Sequence, residues 1–235
     1  MIFRRKAKNE DTEAAATTGR DEAVDTAAVP SAKAEPTAAD AGTPAGRGDG
    51  PYDASEVDAA TLEGDDRIDL GALVITGLPG MELRLQVDEQ SGDVQAVLLV
   101  LEDSALELRA FAAPKTAGIW ADVRREIAAE ATRMGGTATE TEGPFGTELV
   151  LVVPVEDPDG QIFSQTSRVI GVDGPRWLLR GTVLGRAAVE PDAAPPMEDS
   201  LRNVVVVRGS EPMAPREALP LRLPEGAQPT PDTEL

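Results

Sequence analysis

The chain has 235 residues, a formal net charge of −20 and an isoelectric point near 4.3, so its overall field opposes attraction to nucleic-acid phosphates and to anionic lipid. It contains no cysteine and no histidine, which excludes disulfides, thiolate metal sites, thiol nucleophiles and every Ser-His-Asp or Cys-His mechanism. Aromatic residues make up only 3%, so a core must be built from Leu, Val, Ile and Ala, with Trp120 and Trp177 supplying much of the aromatic burial.

Met1-Ile2-Phe3-Arg4-Arg5-Lys6-Ala7-Lys8 has the charge of a signal n-region, but Asn9-Glu10-Asp11-Thr12-Glu13 follows where an apolar segment is required. No apolar run approaches the roughly 18 residues needed to span a bilayer. The chain therefore reads as cytoplasmic with no transmembrane segment; a weak membrane tether through Arg4, Arg5, Lys6 and Lys8 is the alternative. From Asn9 to Asp66 the composition is Ala, Thr, Glu, Asp, Gly and Pro with almost no bulky apolar side chains, too little burial to offset chain ordering. Residues 1–66 are predicted as a disordered acidic leader with a basic start, residues 67–224 as one folded domain and residues 225–235 as a disordered tail.

Within the domain, Ile68 to Ile75 reads as a first strand and Gly77-Leu78-Pro79-Gly80 as a turn. Met81 to Val87 alternates strictly, with Met81, Leu83, Leu85 and Val87 on the inward side. Val94 to Leu101 is apolar enough to predict a central strand covered on both faces, and Ala105 to Ala112 alternates again. After Pro114, with Thr116 as cap, Ile119, Trp120, Val123, Ile127, Ala131 and Met134 recur at helical spacing up to Gly135-Gly136. Thr137 to Thr141 is a short polar strand, Glu142 to Gly146 a bend, and Thr147 to Val155 a second near-continuous apolar strand.

Gln161 to Val172 and Arg176 to Leu184 form a hairpin in which Trp177, Leu179, Gly181 and Val183 share one face. Asp173-Gly174 suggests its turn, but Pro175 has no N–H to close it, so a longer or bulged loop is predicted. Pro195-Pro196 opens a second helix with Leu201 inward, and Val204 to Val207 forms a short closing strand. Met213 to Pro224 reads as an extended docked segment. The predicted fold class is α+β: a mostly antiparallel sheet of about eight or nine strands carrying two helices.

Asp157-Pro158-Asp159-Gly160 has the start of a calcium loop, but the twelfth position holds Arg168 where such a loop needs Glu. The acids at Asp65, Asp66 and Asp69, and at Glu156, Asp157 and Asp159, are candidates for paired carboxylates or a magnesium site; solvated turn acids are the plainer reading. The glycine-rich pieces lack the Lys-Ser or Lys-Thr of a phosphate loop, and no nucleophile elbow occurs. The residues left as a binding candidate are Arg168, Arg176 and Arg180, which two strands of one hairpin could present together to a carboxylate or phosphate. No catalytic residue, metal ligand or cofactor is assigned.

The motifs Phe111-Ala112-Ala113-Pro114, Gly118-Ile119-Trp120, Glu142 to Leu149, Gly171 to Gly181, Val204 to Gly209 and Pro220 to Pro224 resemble an actinobacterial family, domain of unknown function 3710. The resemblance covers roughly Gly50 to Pro224, implies a cytoplasmic actinobacterial protein and carries over no catalytic residue. The element order is also similar to the PsbP-like α+β arrangement, an analogy of fold alone. The expectation is a non-enzymatic binding or adaptor domain with a protein partner. A small-molecule or metal-dependent enzyme using carboxylates and arginines is the alternative.

Overall fold

The computed structural model describes residues 50–64, 66–88, 91–157 and 159–223. The fold is mixed α+β, with eleven strands among the described residues arranged in two sheets. The larger sheet is antiparallel and holds seven strands: β4 (Glu82–Val87), β5 (Val94–Leu101), β6 (Ser104–Ala112), β10 (Trp177–Gly185), β9 (Ile162–Gly174), β8 (Gly146–Glu156) and β7 (Thr137–Gly143), in that spatial order. The smaller sheet runs β1 (Tyr52–Asp53), β11 (Val205–Val206), β3 (Leu73–Thr76), β2 (Arg67–Asp69), with only the β1–β11 pair parallel. Four helices join them: α1 (Ala59–Leu62), α2 (Trp120–Arg133), α3 (Arg186–Val189) and α4 (Pro195–Arg202).

Because successive side chains of a strand point to opposite faces, the pairing register assigns every residue of the large sheet to one of two faces. Leu83, Leu99, Leu106, Val183 and Arg168 stand in register on the face that carries Trp177. The small sheet, α3 and α4 bring Leu73, Ile75, Val206, Ala187, Met197 and Leu201 onto this Trp177 face over β4, β5, β6 and β10. The opposite face is covered only over β7, β8 and β9, where α2 packs Ile119, Trp120, Val123 and Ile127 against Leu149, Leu151, Val169 and Leu178. The two layers are therefore diagonal to each other, and each face has one half that no described helix or sheet covers.

The stretch from Gly171 to Gly181 fastens both layers to the sheet. A Cβ on Gly171 would lie 2.2 Å from the Trp120 ring, and one on Gly174 would lie 2.1 Å from the Trp177 ring, so each glycine makes room for an indole on its own face. Between them the Asp173 carboxylate accepts hydrogen bonds from the backbone N–H groups of Ile119 (2.8 Å) and Trp120 (3.2 Å) at the start of α2. The cap expected from Thr116 is supplied instead by a side chain from β9, and negative charge there also suits the helix dipole. Gly174 pairs directly with Trp177, so the connection is a tight two-residue turn of Pro175 and Arg176, not the longer loop expected. Pro175 takes a turn position that needs no N–H, and Arg176 adopts the left-handed conformation (φ 67°).

Three further expectations need correction. Ile68 to Ile75 is a hairpin, not one strand: Gly71 (φ 83°) reverses the chain, and Ile68 faces Ile75 across β2 and β3. Residues 50–64, placed in the leader by composition, carry β1 and α1; Tyr52 pairs with Val205, and the N–H of Tyr52 donates to the Val204 carbonyl. Residues 1–49 of that expected leader, and the tail 225–235, lie outside the described residues. Val94 to Leu101 is an interior strand, second from the sheet edge, and is not evenly covered on both faces: Val97 and Leu99 are buried on one side, whereas on the other Ala96 is buried but Leu98 and Val100 are half-buried. The segment after Met213 does dock as an extended chain. The Ala112 N–H donates to the Glu217 carbonyl, the Leu219 N–H to Ala110 and the Arg222 N–H to Leu70, with Leu219 buried.

Candidate functional site

The arginines singled out in the sequence are not one cluster. Arg168 stands opposite Val183, on the Trp177 face. Its guanidinium donates to both carboxylate oxygens of Glu148 (3.0 and 3.1 Å) and to Glu198 of α4 (2.9 Å). The side chains of Arg168 and Glu148 are only 13% and 5% exposed, so this is an inward clasp tying α4 to β8 and β9. Burial pushes the Glu148 carboxyl above its ordinary pKa, against the opposing pull of Arg168. Arg176 lies in the turn, where its carbonyl accepts from Ala113 N–H (2.8 Å) and Arg208 Nε (3.1 Å).

Arg180 is on the opposite face, directly across from Arg109 of β6. Arg109 was not singled out from sequence; the signal available was the charge on the polar side of an alternating strand, and only the register shows what it faces. The two guanidiniums share one carboxylate. Glu107 Oε1 lies 2.9 Å from Arg109 Nε and 3.8 Å from Arg180 Nη2. The Arg109 contact is off the direction of its N–H, and among the described residues neither buried Nε has a hydrogen-bond partner. Arg180 lies over the Phe111 ring at 5.4 Å, while Arg109 reaches past Ala96, fully buried, toward Gln86 on β4 (3.4 Å). Burial, reinforced by the like charge of Arg109, pushes the Arg180 guanidinium below its ordinary pKa.

Around this pair lies the open half of the Trp120 face. In register across the strands run Glu82, Val100, Ala105 and Leu184 in one row, and Arg84, Leu98, Glu107 and Thr182 in the next. Leu98, Val100 and Leu184 are half-buried. Arg84 pairs with Glu82 at 3.0 Å, leaving Arg109 and Arg180 to one carboxylate among the described residues. The surface is thus an apolar strip bordered by an arginine pair with one positive charge in excess.

A family model described as a protein of unknown function (DUF3710) matches residues 50–230. The chain belongs to this family. The DUF3710 match begins at Gly50, where the described fold also begins, and takes in β1, whose Asp53 carboxylate accepts the indole N–H of Trp177 at 2.7 Å. Comparison with curated proteins finds no match.

The other sequence candidates resolve into local structure. Asp157 Oδ1 accepts from the N–H groups of Asp159 (3.0 Å) and Gln161 (2.7 Å), closing the turn between β8 and β9. Asp69 Oδ1 accepts from Gly71 N–H at the β2–β3 reversal. Asp65 lies outside the described residues, among which no three acidic groups converge as a metal-binding set. A cleft of about 190 Å³ is lined by Leu101, Asp103, Ser104, Arg186, Asp192 and Met197 among others, and by none of Arg109, Arg168, Arg176 or Arg180. Among the described residues no helix is long and apolar enough to cross a membrane.

Proposed function

We propose that this DUF3710 chain is a non-enzymatic cytoplasmic binding or adaptor domain whose protein partner docks on the open half of the Trp120 face, over β4, β5, β6 and β10. The observation that carries this reading is Leu98 and Val100. They belong to a strand apolar enough for burial on both sides, yet no described helix or sheet lies over them. Apolar surface left beside charged groups that lack full compensation is the composition of a docking surface: a partner removes the leucine and valine from water and supplies the missing counter-charge. The carboxylates that an enzyme would use support the same reading, since Asp69 and Asp157 close turns and Glu148 is held by Arg168.

Affinity capture from native lysate tests this with the wild type and Leu98→Asp, after both show the same cooperative thermal transition. A protein retained by the wild type and lost on Leu98→Asp is the expected result. An identical set of retained proteins would remove the open face from the account.

A further inference from the structure

Resting on that docking surface, we infer that Arg109 and Arg180 form a receptor for a single carboxylate, carried among apolar side chains on a segment of the partner protein. Two observations lead there. The two arginines are direct neighbours across β6 and β10, and both guanidiniums reach the same oxygen, Glu107 Oε1, at 2.9 Å from Arg109 and 3.8 Å from Arg180. Among the described residues the pair has one carboxylate, Glu107, to offset two guanidiniums. An added carboxylate meets this need: its charge offsets the repulsion between the guanidiniums, and its oxygens accept charge-assisted hydrogen bonds from the parts of Arg109 and Arg180 that remain exposed, 33% and 22% of the two side chains.

The number of charges is limited from both sides. Among the described strand residues of this face Arg84, Arg109 and Arg180 stand against Glu82 and Glu107, an excess of one, whereas the whole chain carries −20. A polyanion would be neutralised by the patch only in its first charge and repelled by the rest of the protein. One carboxylate is the matching ligand. The open sheet face, with Leu98 and Val100 beside the pair, favours an extended or amphipathic protein segment over a free metabolite, since a small ligand needs a concave site to bury most of its surface.

The test is an amide chemical-shift titration of the full chain with acetyl-LAEAL-amide, its glutamine counterpart acetyl-LAQAL-amide, and inorganic phosphate. The glutamate peptide is expected to shift the amides of Leu98, Arg109 and Arg180 and to bind on the order of tenfold tighter than the glutamine peptide, as a charge-assisted hydrogen bond gives. Arg180→Gln and, independently, Arg109→Gln are each expected to abolish that preference, so that one variant failing to fold leaves the other to decide. Equal binding of the two peptides, no binding of either, or displacement of the glutamate peptide by equimolar phosphate would overturn the inference. A lysate partner lost on Leu98→Asp but retained by both arginine variants would overturn it while leaving the docking reading intact.

Discussion

Over β7 and beyond the Arg168–Glu148 clasp on β8 and β9, the part of the Trp177 face that no described helix or sheet covers presents Thr137, Thr139, Thr141 and Thr166 beside Val150 and Val152. Over β4, β5, β6 and β10 the uncovered half of the Trp120 face presents Leu98, Val100 and Leu184 beside Arg109 and Arg180. Threonine fits a pleated surface and keeps a hydroxyl for water, so the first half is at home in solvent. The second combines leucine with a buried edge of guanidinium, and neither is satisfied by water alone. Both halves belong to one sheet, so the contrast lies in the side chains and not in the backbone.

Arg168 and Arg180 repeat this contrast at the scale of single residues. Arg168 stands between two carboxylates and closes the α4 layer on the sheet, whereas Arg180 shares one carboxylate with a second arginine. The sharpest way to break the comparison is to delete each guanidinium. Arg168→Gln leaves Glu148 buried without its cation and is expected to cost about 3 kcal/mol in urea unfolding. An effect below about 1 kcal/mol would place Arg168 with the surface pairs instead.

The next largest effect falls on the covered half of the Trp120 face. Gly171→Ala drives a methyl group onto the Trp120 ring, 2.2 Å from the position its Cβ must take; a loss of roughly 1–3 kcal/mol is expected, with the Trp120 emission altered. Glu148 then gives a pH signature. Its folded-state pKa is raised, so its contribution is fully present below the unfolded value near 4.5 and declines as pH rises through the folded value. Unfolding free energy measured from pH 4.5 to 7 is expected to fall with rising pH more steeply in the wild type than in Glu148→Gln. Parallel profiles would show that the Arg168 pair fully compensates the burial. The smallest effect is that of Arg180→Gln: lost stacking on Phe111 is offset by relief of the Arg109 repulsion, and stability is expected to change by less than about 1 kcal/mol.

Much of the fold is legible in the residues. The three-and-four spacing from Ile119 to Ala131 marks α2, though Met134, read as part of it, is exposed; the alternation at Leu106 and Leu108 marks a strand whose inward side is buried, whereas in edge strand β4 Leu83 and Leu85 are half-buried and Val87, past a register shift, is exposed. What escapes is what depends on partners distant in sequence. Tyr52 and Asp53 lie in a stretch of leader-like composition, and their strand exists because Val205 pairs with Tyr52 and the Trp177 indole needs an acceptor. The face of Arg168 relative to Arg180 depends on the length of the turn, and the Pro175–Arg176 turn sets a register that puts them on opposite sides. The Arg109–Arg180 pair rests on the same register. The apolar run from Val94 to Leu101 shows a limit of another kind: periodicity reports that a residue suits burial, and is silent on whether its own domain or a partner does the burying.

The most direct measurement places that limit under test. A photo-crosslinking amino acid, p-benzoylphenylalanine, installed at Leu98 and separately at Thr139 in the full-length protein and irradiated in its native cells, samples the two open halves of the sheet. The account predicts a discrete crosslinked protein partner from position 98 and none from position 139. Crosslinking at Thr139 with none at Leu98 would contradict it.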